Sequence, residues 1–201
     1  SRGRGDVYKR QVLYPYIAGL GGEILGAIKD PKLQSACVDV YNNWLLETWT
    51  GDRYVPQALV PISSIEEAIV GAEKAVKAGH KAVVLPSAPW RINDGTPHLY
   101  EREWDPFWEQ MKDLDVPVCF HSGSAPSLMM QIYEGFHPAV AKGFDVVRRP
   151  SSSGMVVCRF LFSGVGERHP DVKFVFGATA TDWFAFMLEV SDHEWERICQ
   201  K

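Results

Sequence analysis

Hydrophobic positions along the chain alternate between two patterns: short continuous apolar runs and longer stretches with helical spacing. The runs are "VLYP" (12–15), "YVPQALVP" (54–61), "KAVVLP" (81–86), "VPVCF" (116–120) and "DVKFVFGAT" (171–179). Continuous apolar runs of this length read as strands covered on both faces, whereas a half-exposed strand alternates. Between them lie capped helical stretches. Asp30-Pro31 opens a helix with Leu33, Cys37, Val40 and Trp44 on one face, and Gly51 stops it. Ser64-Ile65-Glu66-Glu67 is a capping box, in which Ser64 accepts from the Glu67 amide and Glu67 reaches back. The helix it opens buries Ile65, Ala68, Ile69, Ala72 and Val76, and Gly79 ends it. Asp105-Pro106 opens another, with Phe107, Met111 and Leu114 facing inward. A helix rich in Met, Val and Phe is expected over 154–163. Asp182 reads as the N-cap of a last helix carrying Trp183, Phe186, Met187 and Val190.

Strand and helix alternating in this way predict an α/β fold with a parallel sheet and right-handed crossovers. Two architectures compete, an open doubly wound sheet and a (β/α)8 barrel. A doubly wound nucleotide-binding domain requires a glycine turn directly between strand and helix. "GLGGEILG" (19–26) supplies the glycines, but Asp30-Pro31 separates it from the helix it would have to open. The barrel is favoured by polar residues just past the strand C-termini, where barrel enzymes place their chemistry. These are Ser87 and Trp90; His121, Ser122 and Ser124; and Thr179, Thr181 and Asp182.

The chain has 201 residues, 46% hydrophobic and 23% charged, with a net charge of −4. That is ordinary for a globular domain and gives no basic footprint for nucleic acid. No run of eighteen apolar residues occurs, so no membrane-spanning helix is expected. The four cysteines (37, 119, 158 and 199) form no CxxC pair. They read as reduced thiols of a cytoplasmic protein, with a scattered four-cysteine zinc site as the alternative. The opening "SRGRGDVYKRQ" (1–11) is Gly/Arg-rich and without period. It resembles a translated sequencing-adapter scar, and the expectation is that the natural chain begins upstream of Val12 and that the domain here is residues 12–201 of a truncated protein.

Six segments, in order, resemble the amidohydrolase superfamily, and within it the amidohydrolase-related group that includes aminocarboxymuconate-semialdehyde decarboxylase. They are "VLYP", "YNNWLLE" (41–47), "DRYVPQALVP" (52–61), "AGHKAVVLP" (78–86), "DPFWEQMKDLDVPVCFHSG" (105–123) and "FLFSGVGERHPDVKFVFG" (160–177). The resemblance implies a (β/α)8 barrel with one divalent metal, often zinc, held by an HxH pair on the first strand, a His ending the fifth and an Asp on the eighth. The strands present are then the second to the sixth, and His121 matches the metal-ligand His. The implied activity is hydrolysis, or non-oxidative decarboxylation, of a small carboxylate-bearing or aromatic substrate by a possible homo-oligomer. No HxH occurs in the chain, and strands one, seven and eight are missing from it; a fragment of this kind is expected to be inactive and to hold no tight metal. After the sixth strand the decarboxylase has a catalytic His where this chain has Ala178, which cannot transfer a proton. That departure keeps a second reading open, a barrel that binds a ligand without chemistry.

The remaining candidates carry structural readings beside functional ones. Trp90 can wall an aromatic pocket or pack, and Ser124, just past His121, is a substrate-binding candidate. His98 and His137 fall in rim loops, reaching substrate or serving the surface. His169, in "ERHP", reads as solvent-facing or as a helix-end partner, and His80 as lying at the barrel bottom. Trp44 and Trp108 read as packing residues. "HEWER" (193–197) resembles HExxH only superficially, because its fifth residue is Arg197.

Overall fold

The computed structural model describes residues 10–121 and 135–198. Six short strand segments occur among them: β1 (Gln11–Leu13), β2 (Tyr54–Pro56), β3 (Ala58–Leu59), β4 (Val83–Val84), β5 (Val118–His121) and β6 (Phe174–Gly177). All pairings are parallel. β1 pairs with β2, and β3-β4-β5-β6 follow one another as neighbours. β2 and β3 are one strand interrupted at Gln57, so the order in space is the order in sequence. A doubly wound sheet reverses its strand order at a switch point, and no reversal occurs among the described strands. The arc is five consecutive strand positions of a partial (β/α)8 barrel, the second to the sixth. "GLGGEILG" forms a loop around the four-residue α1 (Glu23–Gly26) and opens no crossover helix, which removes the nucleotide-binding reading.

Strand side chains alternate between two cores. Ala58, Val83, Val118 and Phe120 join Ala68, Ala72, Trp104, Phe107, Trp108 and Phe160 in the larger one, under the helices α3 (Ile65–Ala78), α4 (Asp105–Asp113) and α5 (Pro138–Phe162). Leu59, Val84 and Cys119 face the other way, with Ala18, Ala82 and Tyr14. His121 shares their parity. α3 and α4 bury the predicted faces, and Trp108 is fully enclosed. Ser64 caps α3 by accepting from the Glu67 amide at 3.2 Å, but the Glu67 carboxylate turns instead to the Ser35 hydroxyl at 2.8 Å.

α2 (Pro31–Thr48) starts as expected, with Asp30 accepting from the Leu33 amide at 3.0 Å. Its buried face differs from the sequence reading. Leu33, Val40 and Trp44 are exposed, while Gln34, Val38, Asn42 and Leu45 point inward. The physical reason is the interrupted strand. Where the strand leaves β1 at Gln57, its backbone groups need other partners. The Asn42 amide pairs with both the N–H and the C=O of Leu59, each at 2.9 Å. Gln34 accepts from the Ile62 amide at 2.7 Å and donates to Gly26 and Ile28.

α5 begins sixteen residues before the expected 154 and runs through Pro150; nothing in its described side chains explains that tolerance. The short α6 (Val165–Arg168) follows, and α7 (Asp182–Ile198) includes Asp182 as its first residue. No residue of α7 is fully buried: Phe186 and Val190 are exposed, while Trp183 and Met187 lie beside Gly154 of α5. No helix among the described residues is long and apolar enough to cross a membrane.

Candidate functional site on the concave rim

His121 is the last residue of β5, and stiff pairing on both sides fixes its direction: its strand registers with β4 through Val83–Val118 and with β6 through His121–Gly177. Directly past β1, Tyr14 crosses the concave face and sets its ring edge-on to the His121 imidazole, with centroids 4.7 Å apart. The Tyr14 hydroxyl end occupies the place a side chain would take at Gly177: a Cβ there would lie 2.4 Å from Oη. Glycine at 177 is therefore what lets a tyrosine from β1 reach the far strand.

Around Tyr14 the site is neutral. Burial pushes its phenol above the ordinary value, only partly opposed by a hydrogen bond from the Gln57 side chain. Burial also pushes the Cys119 thiol up to about 11, against a weaker opposing hydrogen bond from Tyr14. A thiol in that state is a packing group rather than a nucleophile. Gln57 is buried with its Oε1 lacking a partner, and one carboxylate oxygen of the buried Glu23 is likewise unpaired while the other accepts from Gly21. Glu23 lies in the rim loop after β1. Composition and periodicity did not single out Tyr14, Gln57 or Glu23; a Glu inside a glycine-rich loop was the available signal for the last. Past β6, Ala178 and Ala180 hold left-handed backbone, with φ of +54° and +55°, which L-residues adopt at a cost of about 1 kcal/mol or more. Ala178 brings no proton-transfer atom.

The other sequence candidates lie elsewhere. Trp90 and His98 are brought to each other, with ring centroids 4.1 Å apart; Tyr100 Oη is 2.8 Å from His98 Nδ1, and the Arg159 guanidinium lies 5.6 Å from the Trp90 ring. Trp90 and Tyr100 pack on the larger core, the side opposite to His121 by strand parity. His137 is exposed and caps α5, its Nδ1 accepting from the Ala139 amide. Ser124 and Ser122 lie outside the described residues, as does Cys199.

His169 is not solvent-facing. It is 5% exposed and ends α6, with Nδ1 2.8 Å from Glu109 Oε1 and Nε2 2.9 Å from Asp105 Oδ1. His80 is buried between the carbonyls of Pro56 and Asn42, each 3.2 Å away. Trp44, expected to pack, is 46% exposed beside Tyr41. Among the described residues no three His, Cys, Asp or Glu side chains converge to hold a metal. The described part of the rim therefore supplies one strand-fixed imidazole and does not by itself fit a divalent ion.

The family profile described as Amidohydrolase matches residues 15–195. No protein of curated function matches the chain. Among solved structures, the chain is similar to an amidohydrolase from Mycobacterium avium subsp. paratuberculosis K-10, with 20% identity, a TM-score of 0.74, and coverage of 96% of this chain and 50% of that one. It is also similar to 2,6-dihydroxybenzoate decarboxylase from Rhizobium, with 19% identity, a TM-score of 0.63, and coverage of 85% and 52%. A third is a dihydroxybenzoic acid decarboxylase from Polaromonas sp. JS666 with bound manganese and 2-nitroresorcinol, with 22% identity, a TM-score of 0.58, and coverage of 76% and 46%. The chain thus spans about half the length of these proteins.

Proposed function

Since the chain belongs to the amidohydrolase family, we propose that it is the central arc of a metal-dependent barrel enzyme, a hydrolase or a non-oxidative decarboxylase of a small aromatic or carboxylate substrate. The observation that carries this reading is His121, held at the C-terminal end of β5 on the concave face. In this reading His121 is one ligand of a divalent ion, zinc or the manganese seen in the Polaromonas decarboxylase. The remaining ligands come from outside the described residues, because a site of this kind needs three or more. Tyr14 orients the imidazole, and the neutral Tyr14–Gln57–Cys119 group lines the floor. Ser124 is proposed on the substrate side, whereas Trp90 and His98 pack on the opposite core and His137 caps α5. The free thiols of Cys37, Cys119 and Cys158 suit a reducing, cytoplasmic setting.

The test compares this chain with a longer protein that contains it, each with and without His121→Ala. Metal retained after gel filtration and decarboxylation of dihydroxybenzoates are the readouts. In the longer protein the substitution should abolish turnover and lower metal content. In the 201-residue chain both should already be near zero. Turnover unaffected by His121→Ala in the longer protein would refute the assignment. Ala178 favours a second reading, an inert barrel that binds the same class of ligand; it predicts saturable binding of an aromatic carboxylate with no product formed.

A further inference from the structure

We infer, resting on the reading of His121 as a site residue, that Tyr14 is an autoinhibitory cap: its ring covers the imidazole in a closed state and swings aside before a ligand reaches His121. The ring lies edge-on to the imidazole with centroids 4.7 Å apart, on the concave face at the strand end where a ligand of His121 has to approach. His121 Nδ1 is buried. The hydroxyl end of Tyr14 fills the notch at Gly177, donates to the Cys119 thiol and accepts from the Gln57 side chain. These contacts join the inward faces of the strands, away from the outer edges of β1 and β6. The ring that orients the imidazole therefore also covers it.

Three features make the cap displaceable. Tyr14 is the first residue beyond the β1 ladder, which ends with Leu13 opposite Pro56, so its side chain changes rotamer without breaking a strand pairing. Pro15 keeps the Tyr14 backbone extended, which confines the movement to the side chain. The anchors are weak, because one of the two hydrogen bonds goes to a sulfur, a poor acceptor. What lies beneath the ring is polar: Gln57 is 2% exposed, and its Oε1 has no partner among the described residues. A buried amide left half-paired is costly, and it marks a place where a further polar group enters once the ring has left. While the cap is closed, a ligand of His121 binds with an affinity reduced by the fraction of chains that are open.

Acylation of the 201-residue chain by diethyl pyrocarbonate, read at each histidine by peptide mass spectrometry at one fixed pH, tests the cap. Exposed His137 is the reference, and buried His80 reports an intact fold. In the unmodified chain His121 should react roughly tenfold or more slowly than His137, and Tyr14→Ala should raise its rate by roughly the same factor. Gly177→Ala should raise it as well, because a methyl group there would lie 2.4 Å from Tyr14 Oη and expel the ring. Neither substitution should change the rates of His80 and His137. A nuclear Overhauser contact between the Tyr14 ring and His121 Hε1 should be present in the unmodified chain, a reading that needs no substitution. The inference is overturned by a His121 as reactive as His137 in the unmodified chain, by absence of that Overhauser contact, or by a variant that keeps His80 protected and leaves the His121 rate unchanged. None of these readings uses metal or turnover, so a His121 that proved not to be a metal ligand would leave them standing.

Discussion

Tyr14 and Gly177 show how the concave rim depends on pairs of residues far apart in sequence. A methyl group at 177 would meet Tyr14 Oη at 2.4 Å and Cζ at 2.6 Å. Gly177→Ala should therefore cost about 1–3 kcal/mol by overpacking. In a Tyr14→Ala background the same change should cost much less, so that urea unfolding of the four proteins gives a clear interaction energy. Equal costs in both backgrounds would mean that Tyr14 does not occupy this place. Ala178, one residue on, sits in left-handed backbone, so Ala178→Gly should leave stability unchanged or raise it by about 0.5–1 kcal/mol, measured the same way. His121 and Ala178 were singled out in the sequence because the family pattern gives their positions a role, whereas Tyr14 and Gly177 lie in quoted motifs without one. Tyr14 and Gly177 acquire their roles only when β1 and β6 face each other across the arc. For His169 the helix-end alternative held and the solvent-facing one did not, for a similar reason: the carboxylates that enclose it belong to α4, some sixty residues away.

At the level of elements, α3 and α4 were readable because both bury apolar faces in the larger core. α2 was not. Its most regular apolar stripe points away from the sheet, and its buried face carries two amides because the strand beside it is interrupted at Gln57. Periodicity detects burial of apolar atoms and is blind to a helix that supplies hydrogen bonds to a strand. Asn42→Ala removes the partner of both the Leu59 N–H and its C=O. Leaving two buried backbone groups unpaired should cost about 2–4 kcal/mol. Val40→Ala, on the exposed face, should change monomer stability by about 0.5 kcal/mol or less. Denaturant midpoints at a protein concentration low enough to exclude association test this ranking, and a larger effect at Val40 would reverse the orientation of α2.

For the whole molecule, strictly sequential parallel strands were legible because the strands are continuous apolar runs and every crossover carries a helix; the break at Gln57 was marked by Pro56-Gln57 inside its run, which periodicity alone passes over, and the length of α5 was hidden by Pro150 within it. What joins the layers also sets the response to acid. His80 ties the start of the third strand position to α2, and burial holds its ring below the ordinary histidine value despite the two carbonyls beside it. A base with a lowered folded pKa contributes stability that is complete above the unfolded value, about 6.5, and is lost as pH falls towards the folded one. Asp105 ties α4 to the α6–β6 turn. Burial pushes its carboxyl up, but the hydrogen bonds and charges of His169 and Arg168 outweigh this and the net shift is downward. Its contribution is therefore present above the unfolded carboxylate value, about 3.9, and is lost at lower pH. Unfolding free energy should then fall in two stages on acidification, one beginning below about pH 6.5 and one below about pH 4. His80→Ala should lower stability throughout yet flatten the first stage, and Asp105→Asn should flatten the second. Urea titrations at half-unit steps from pH 3 to 8 read both slopes, and a His80→Ala protein that keeps the full slope between pH 5 and 6.5 would show that another group controls the first stage.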